Sequence, residues 1–229
     1  MKNALQLPAS ASSAELLEQL RAQVIGAEAR VRQQPFGVDP ALAPVLGEPG
    51  LKPGAAYCLD SSGALLHALL AGPSREGHWC GVVGLPTFAA EAAAAAGVNL
   101  ERLVLVPEPG EQWLAATAAL ADVLPVLVVR PAGRVREGDA TRLLSRLRDR
   151  GGVLLVVGEW PRAEARLVVR ERRWFGLGDG FGHLAGRQVQ VVAVSWRYPA
   201  GRSASLLLPA ADGRVHPVPE PVVPLRAVG

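Results

Sequence analysis

Between Gly54 and Trp160 the sequence repeats one pattern, an apolar run of strand length followed by a stretch with helical spacing. "AAYCLD" is followed by Ala64–Gly72, "HWCGVVGL" by an alanine-rich stretch Thr87–Ala96, and "RLVLVP" by Glu108–Val123. "PVLVVRP" is followed by Gly138–Arg150, and "VLLVVGEW" closes the series. The strand runs are apolar at nearly every position instead of alternating, so both of their faces must be covered. Apolar strands that alternate with helices of about 10–15 residues specify a parallel sheet with helices on both sides. The predicted fold is therefore α/β, a mostly parallel sheet flanked by helices. Gly97 and the Gly151-Gly152 pair stand where a left-handed residue ends a helix.

The flanks differ in texture. In residues 13–33, Leu16, Leu17, Leu20, Val24, Ala27 and Val31 recur every three or four positions after a Ser12 or Ser13 N-cap, the pattern of an amphipathic helix. "QQPFGVDPALAPVLGEPGLKPG" is rich in Pro and Gly and predicts an irregular connection. Beyond Trp160, "ARLVVRERRWFGL", "RQVQVVAVSWRY" and "ASLLLPAADGRVHPV" alternate partially and predict antiparallel strands that extend the sheet. The expected organisation is a helical arm and linker over residues 1–49, a core with a β-rich C-terminal part over 50–215, and a Pro-rich tail over 216–229. The arm offers Leu16, Leu17, Leu20, Val24 and Val31 as candidate partner-binding residues, or as a face that packs on its own domain.

With 49% apolar and 20% charged residues the chain can bury a sizeable core. The net charge of +3 conceals an asymmetry: residues 1–129 sum to −5 and residues 130–229 to +8. All basic residues of the second part are arginines. A basic half suits nucleic acid or an acidic partner, or is simply a solvated surface. Cys58 and Cys80 lie in apolar runs without metal-ligand spacing, which predicts buried reduced thiols and no metal. No stretch has the layout of a signal peptide, and no apolar run reaches the roughly 18–20 residues of a membrane span, so a cytoplasmic location is expected.

"YCLDSSGALLHALLAG" (57–72) has the outline of a phosphate-binding loop, a strand running through a small-residue turn into a helix. The pattern G-x-x-x-x-G-K-[ST], laid from Cys58 to Leu65, keeps only its second glycine, Gly63. Cys58 stands for the first glycine, Ala64 for the lysine and Leu65 for the hydroxyl residue. The turn would be retained because the strand-to-helix connection needs Gly63 and small neighbours.

"GLKPGAAYCLDSSGALLHALL" and "GVNLERLVLVPEPGEQWLAATAAL", with Gly110-Glu111-Gln112 at the matching distance, resemble the RecA fold over roughly residues 50–160. The resemblance implies five chemical positions at four separated places in the chain. The lysine and the metal-binding hydroxyl fall at Ala64 and Leu65, the catalytic glutamate at Leu85, and the Walker B aspartate at Arg130. The γ-phosphate sensor falls near Gly158 or Glu159. Loss of cation, base and metal ligands together implies no hydrolysis and no bound nucleotide, hence no enzyme and no cofactor. With the leading amphipathic helix and "RWFGLGDGFGHLAGRQVQVVAVSWR", the chain resembles the ImuA group, including its ImuA-prime form. That resemblance implies an accessory role in mutagenic translesion synthesis within the LexA/RecA damage response. The implied partners are ImuB, a catalytically inert Y-family polymerase relative, and an error-prone C-family DNA polymerase, with RecA and DNA as further contacts. The alternatives are a residual nucleotide-binding ATPase of the RecA superfamily and a division inhibitor similar to SulA.

The stretch Arg162–Arg173 with Trp174 and Phe175 supplies candidate DNA-binding residues Arg166, Arg170, Arg172, Arg173 and Trp174. Arginines would hold phosphates while a ring stacks on a base; the alternative is an edge strand with solvated arginines and a core Trp174. His67 and His183 have no Ser or Cys partner at a recognisable spacing and are expected to be structural. Asp60 and Glu159 are candidates to pair with Arg130 across the vacated site.

Overall fold

The structure is a computed structural model that describes residues 34–47, 50–61, 63–178 and 181–218. The helical arm expected over residues 13–33, with Leu16, Leu17, Leu20, Val24 and Val31, lies outside the described residues, as does the tail beyond Val218. The chain builds β1 (Phe36–Gly37), a short helix α1 (Ala43–Leu46), β2 (Gly50–Leu51), β3 (Ala56–Leu59) and α2 (Ala64–Arg75). It continues with β4 (Cys80–Val83), α3 (Ala90–Ala96), β5 (Leu103–Val106), α4 (Trp113–Ala121), β6 (Val126–Val129), α5 (Glu137–Arg150) and β7 (Val153–Val157). Four further strands complete it: β8 (Ala165–Gly178), β9 (Phe181–Ser195), β10 (Tyr198–Leu207) and β11 (His216–Pro217).

One nine-stranded sheet runs β11-β10-β9-β8-β3-β7-β6-β4-β5. From β5 to β8 every pairing is parallel, and from β8 to β11 every pairing is antiparallel. The fold is thus α/β, with a mostly parallel sheet carrying an antiparallel extension. The expectation that all strands after Trp160 are antiparallel needs one correction: β8 enters the sheet parallel to β3, with Tyr57 opposite Ala165 and Leu59 opposite Leu167.

The all-apolar strands feed two cores. Tyr57, Leu59, Val126, Val128, Val153 and Leu155 face α2 and α3. Their alternates Cys58, Leu127, Val129, Leu154 and Val156 face α4 and α5. Gly97 (φ 101°) and Gly151 (φ 71°) terminate α3 and α5 in the left-handed region, as the sequence predicts.

The segment expected as an irregular connection is part of the first core. Phe36, Leu42, Val45, Leu46 and Leu51 are all buried, and β1 pairs with β2. The segment crosses α2 at Gly72, where a Cβ would stand 2.0 Å from the Gly37 carbonyl oxygen. Proline and glycine here serve a tight path across a helix instead of a solvated linker.

His67 of α2 is buried against the Phe88 ring, edge on at 5.2 Å, and its Nε2 has no hydrogen-bond partner among the described residues. Burial holds its pKa below the ordinary 6.5. The unfolded chain therefore takes up a proton as pH falls through 6.5 while the folded chain resists it, so stability present above that pH is lost below it. Urea unfolding midpoints that fall between pH 7.5 and 5.5, with a shallower fall for His67→Leu, are the expected result.

Candidate functional site

The carboxyl ends of β3, β4, β6 and β7 come to one edge of the sheet, the edge where open α/β sheets bind ligands. Backbone bonds continue the ladders past the strand ends, Gly158 N–H to Leu59 O and Arg130 N–H to Val83 O, both 2.9 Å. This edge gathers the positions singled out by the loop pattern. Leu65 and Leu85 are each 2% exposed and belong to the core between sheet and helices, Ala64 is half-buried against the same core, and Arg130 is exposed at the end of β6. Gly63 corrects an expectation. Its φ is −87° and a Cβ there would meet nothing within 4 Å, so packing does not require glycine at this turn.

Cys58, at the first-glycine position, points to the other face of β3. Its thiol pKa is raised mainly by burial, with opposing effects from the Trp160 backbone and the Arg166 charge. Burial pushes the Cys80 thiol up to about 12. Both are free cysteines. Among the described residues no group of three or more His, Cys, Asp or Glu could hold a metal ion, and no helix is long and apolar enough to cross a membrane.

Beside the loop, on the α4–α5 side of the sheet, an open cleft of about 1620 Å³ runs along the ends of β6 and β7. Its floor includes Cys58, Val157 and Trp160, and its walls carry Arg134, Arg136, Arg162 and Arg166. Among the described residues, the acidic ones lining it are Glu137 and Glu159. Each holds one arginine: Glu137 pairs with Arg162 at 3.1 Å and Glu159 with Arg166 at 3.4 Å. Arg162 adopts φ 56°, a left-handed conformation uncommon for a residue with a side chain. Trp196, in the turn between β9 and β10, lines the far rim and is 73% exposed. The Arg197 guanidinium lies 5.1 Å from its ring centroid and is itself held by Glu164 at 3.5 Å.

The basic stretch of β8 leaves the cleft along a part of the sheet that no described helix covers. Cross-strand partners share a face. Arg166 opposite Val194, Arg170 opposite Gln190 and Arg173 opposite Gln188 therefore project to one side, the side of Cys58 and the cleft. Strict alternation would have split Arg170 from Arg173. A bulge between them, with Glu171 at φ 50°, inserts the extra residue that returns Arg173 to the same face. Arg172 lies in that bulge, and its charge joins burial in lowering the pKa of Arg187.

Trp174 pairs with Arg187 and so shares the opposite face, where the Arg187 guanidinium lies 5.2 Å from its ring and donates from Nε to Leu208 O at 2.8 Å. Trp174 is 50% exposed and is not the core residue of the alternative reading. Of the five residues proposed from sequence, the structure brings Arg166, Arg170 and Arg173 together and sends Trp174 elsewhere. Sequence reasoning missed Arg134, Arg136 and Trp196. The basic "GRVRE" after β6 was the available signal for the first two, and nothing local marks Trp196.

These features define an α/β sheet protein with a strand-turn-helix loop that lacks phosphate ligands and, beside it, an arginine-lined cleft. A family model described as the MT3502 N-terminal domain matches residues 44–162, more than half of the chain, and the chain belongs to that family. It is also similar to "Uncharacterized protein Rv3395c" of Mycobacterium tuberculosis, 32% identical over 161 residues that cover 69% of this chain and 78% of that protein. The family match ends at Arg162, before the arginines of β8.

Proposed function

We propose that this chain is a non-catalytic adaptor with a RecA-like core, of the ImuA kind, acting in mutagenic translesion DNA synthesis. Its partners in that role are an ImuB-like Y-family relative and an error-prone C-family polymerase, with RecA and DNA as further contacts. The observation that carries the reading is the filling of the nucleotide positions. The hydroxyl and base positions, Leu65 and Leu85, are packed into the core, and the metal-binding position is Arg130. A leucine supplies neither charge nor lone pair, and an arginine repels the cation that a triphosphate brings. The parallel sheet, with β3 central and its loop at the carboxyl edge, supports the RecA-like part of the reading.

Thermal unfolding with millimolar Mg-ATP or Mg-ADP is expected to show no change in melting temperature. A ligand present at about 100 times its Kd would add roughly 2.7 kcal/mol, a shift of several degrees. Such a shift would favour the residual-ATPase reading instead. Co-purification with the Y-family relative supports the adaptor, whereas co-purification with a tubulin-like division protein and not with the polymerase relative supports the SulA-like alternative.

A further inference from the structure

We propose that the arginine-lined cleft and the open face of β8–β10 form one binding track for single-stranded nucleic acid. Phosphates lie on Arg134, Arg136, Arg162, Arg166, Arg170 and Arg173, and an unpaired base stacks on Trp196. The site stands on its own geometry and does not require the adaptor role.

Continuity is the first argument. Arg166 and Val194 both line the cleft and are opposite each other across β8 and β9, so the cleft opens directly onto the sheet face. That face carries Arg170 and Arg173 on β8 and Gln188 and Gln190 on β9. Ser203 and Ser205 on β10, opposite Val192 and Gln190, are exposed on the same side. The helices of this side, α4 and α5, pack on the core strands from β3 to β4, so among the described residues no helix covers the extension.

Charge is the second. Arg134, Arg136, Arg170 and Arg173 form no ion pair among the described residues. Among the described residues Arg162 and Arg166 pair with exposed glutamates, and such pairs exchange readily for a better anion. Length is the third. Arg166 and Arg173 are separated by about 20 Å at roughly 3.3 Å per strand residue, and the cleft adds to that. A mononucleotide cannot span this distance, whereas a polyanion with regular phosphates does.

In the middle of the track Arg166, Arg170 and Gln190 flank the apolar pair Val168 and Val192 on the same face, so charge and hydrogen bonds border a narrow apolar strip. Trp196 selects the single-stranded form. Arg197 covers one side of its ring and holds it at the rim, and an exposed ring stacks on a base only when that base is unpaired.

The test is fluorescence anisotropy of the full-length protein with labelled oligo-dT of about 20 nucleotides, a duplex of equal length, and a polyglutamate peptide. With six phosphates engaged, affinity for oligo-dT is expected to fall roughly 300-fold between about 50 and 200 mM salt. The combined R166A, R170A and R173A variant is expected to bind at least about 10-fold more weakly at the lower salt. Trp196→Ala is expected to lose roughly 10-fold. R142A with R150A, on exposed positions of α5 away from the track, is expected to bind like the parent. Circular dichroism and thermal melts establish that all variants are folded. Absence of oligo-dT binding at tens of micromolar protein, or equal losses in the α5 control, overturns the proposal. Polyglutamate bound as tightly as oligo-dT would make the track an acidic-protein site and overturns it too, as would duplex bound as tightly as the single strand with Trp196→Ala neutral.

Discussion

Introducing the lysine and threonine of the phosphate-loop pattern by Ala64→Lys with Leu65→Thr is expected to yield a protein that is less stable and still does not respond to Mg-ATP. Leu65 is 2% exposed and packs in the core between β3 and α2. Threonine there removes apolar volume and buries a hydroxyl, which together cost about 2–4 kcal/mol. In a chain of this size that lowers the melting temperature by roughly 6–12 °C. The new lysine would stand without a base or a metal ligand beside it, because Leu85 and Arg130, after β4 and β6 at the same edge, supply neither. Differential scanning fluorimetry with and without nucleotide measures both effects. A nucleotide-dependent rise in the double variant would mean that the remaining edge still recognises a triphosphate, and the adaptor reading would then lose its main support.

The second large effect is expected at Gly72. In an ordinary helix interior Gly→Ala stabilises by about 1 kcal/mol. Here a Cβ would lie 2.0 Å from Gly37 O, 2.8 Å from Gly37 C and 2.9 Å from Val38 Cα, all backbone atoms that cannot swing aside like a side chain. Gly72→Ala is therefore expected to destabilise by about 3 kcal/mol or more, the overpacking cost outweighing the propensity gain. Limited proteolysis of the variant should open new cuts between residues 36 and 51, the segment that must lift away. The sign alone discriminates: a more stable Gly72→Ala would mean that this segment does not press on α2.

The parallel core was legible because each strand is apolar on both faces, and only a helix-covered sheet satisfies such runs. The helix ends at Gly97 and Gly151 were legible for an equally local reason, the left-handed φ that glycine tolerates. The packing of Phe36, Leu42 and Leu51 was not, because a segment full of Pro and Gly looks the same whether it crosses a helix or water. Gly63 was misjudged in the opposite direction: a glycine in a loop pattern suggested a steric need that its open surroundings do not impose.

The candidate site divides along the same line. That positions 64, 65 and 85 offer no charge or metal ligand, and that position 130 cannot hold a metal, follows from residue identity alone, since no fold gives alanine or leucine a charge or lets a guanidinium ligate a cation. Which arginines act together could not follow from identity. Alternation groups Arg170, Arg172 and Trp174, and only the bulge at Glu171 places Arg173 with Arg170 and turns Trp174 toward Arg187. Trp196 lies 60 and more residues from Arg134 and Arg136 in the chain and meets them across one cleft only because β9 returns alongside β8. Periodicity is a short-range signal carried by neighbouring residues, so the sequence determined the layers of this protein and the absence of phosphate ligands from its strand-turn-helix loop. Strand register, bulges and the closure of distant segments onto one edge are long-range outcomes, and the tertiary structure alone decided where its positive charge converges.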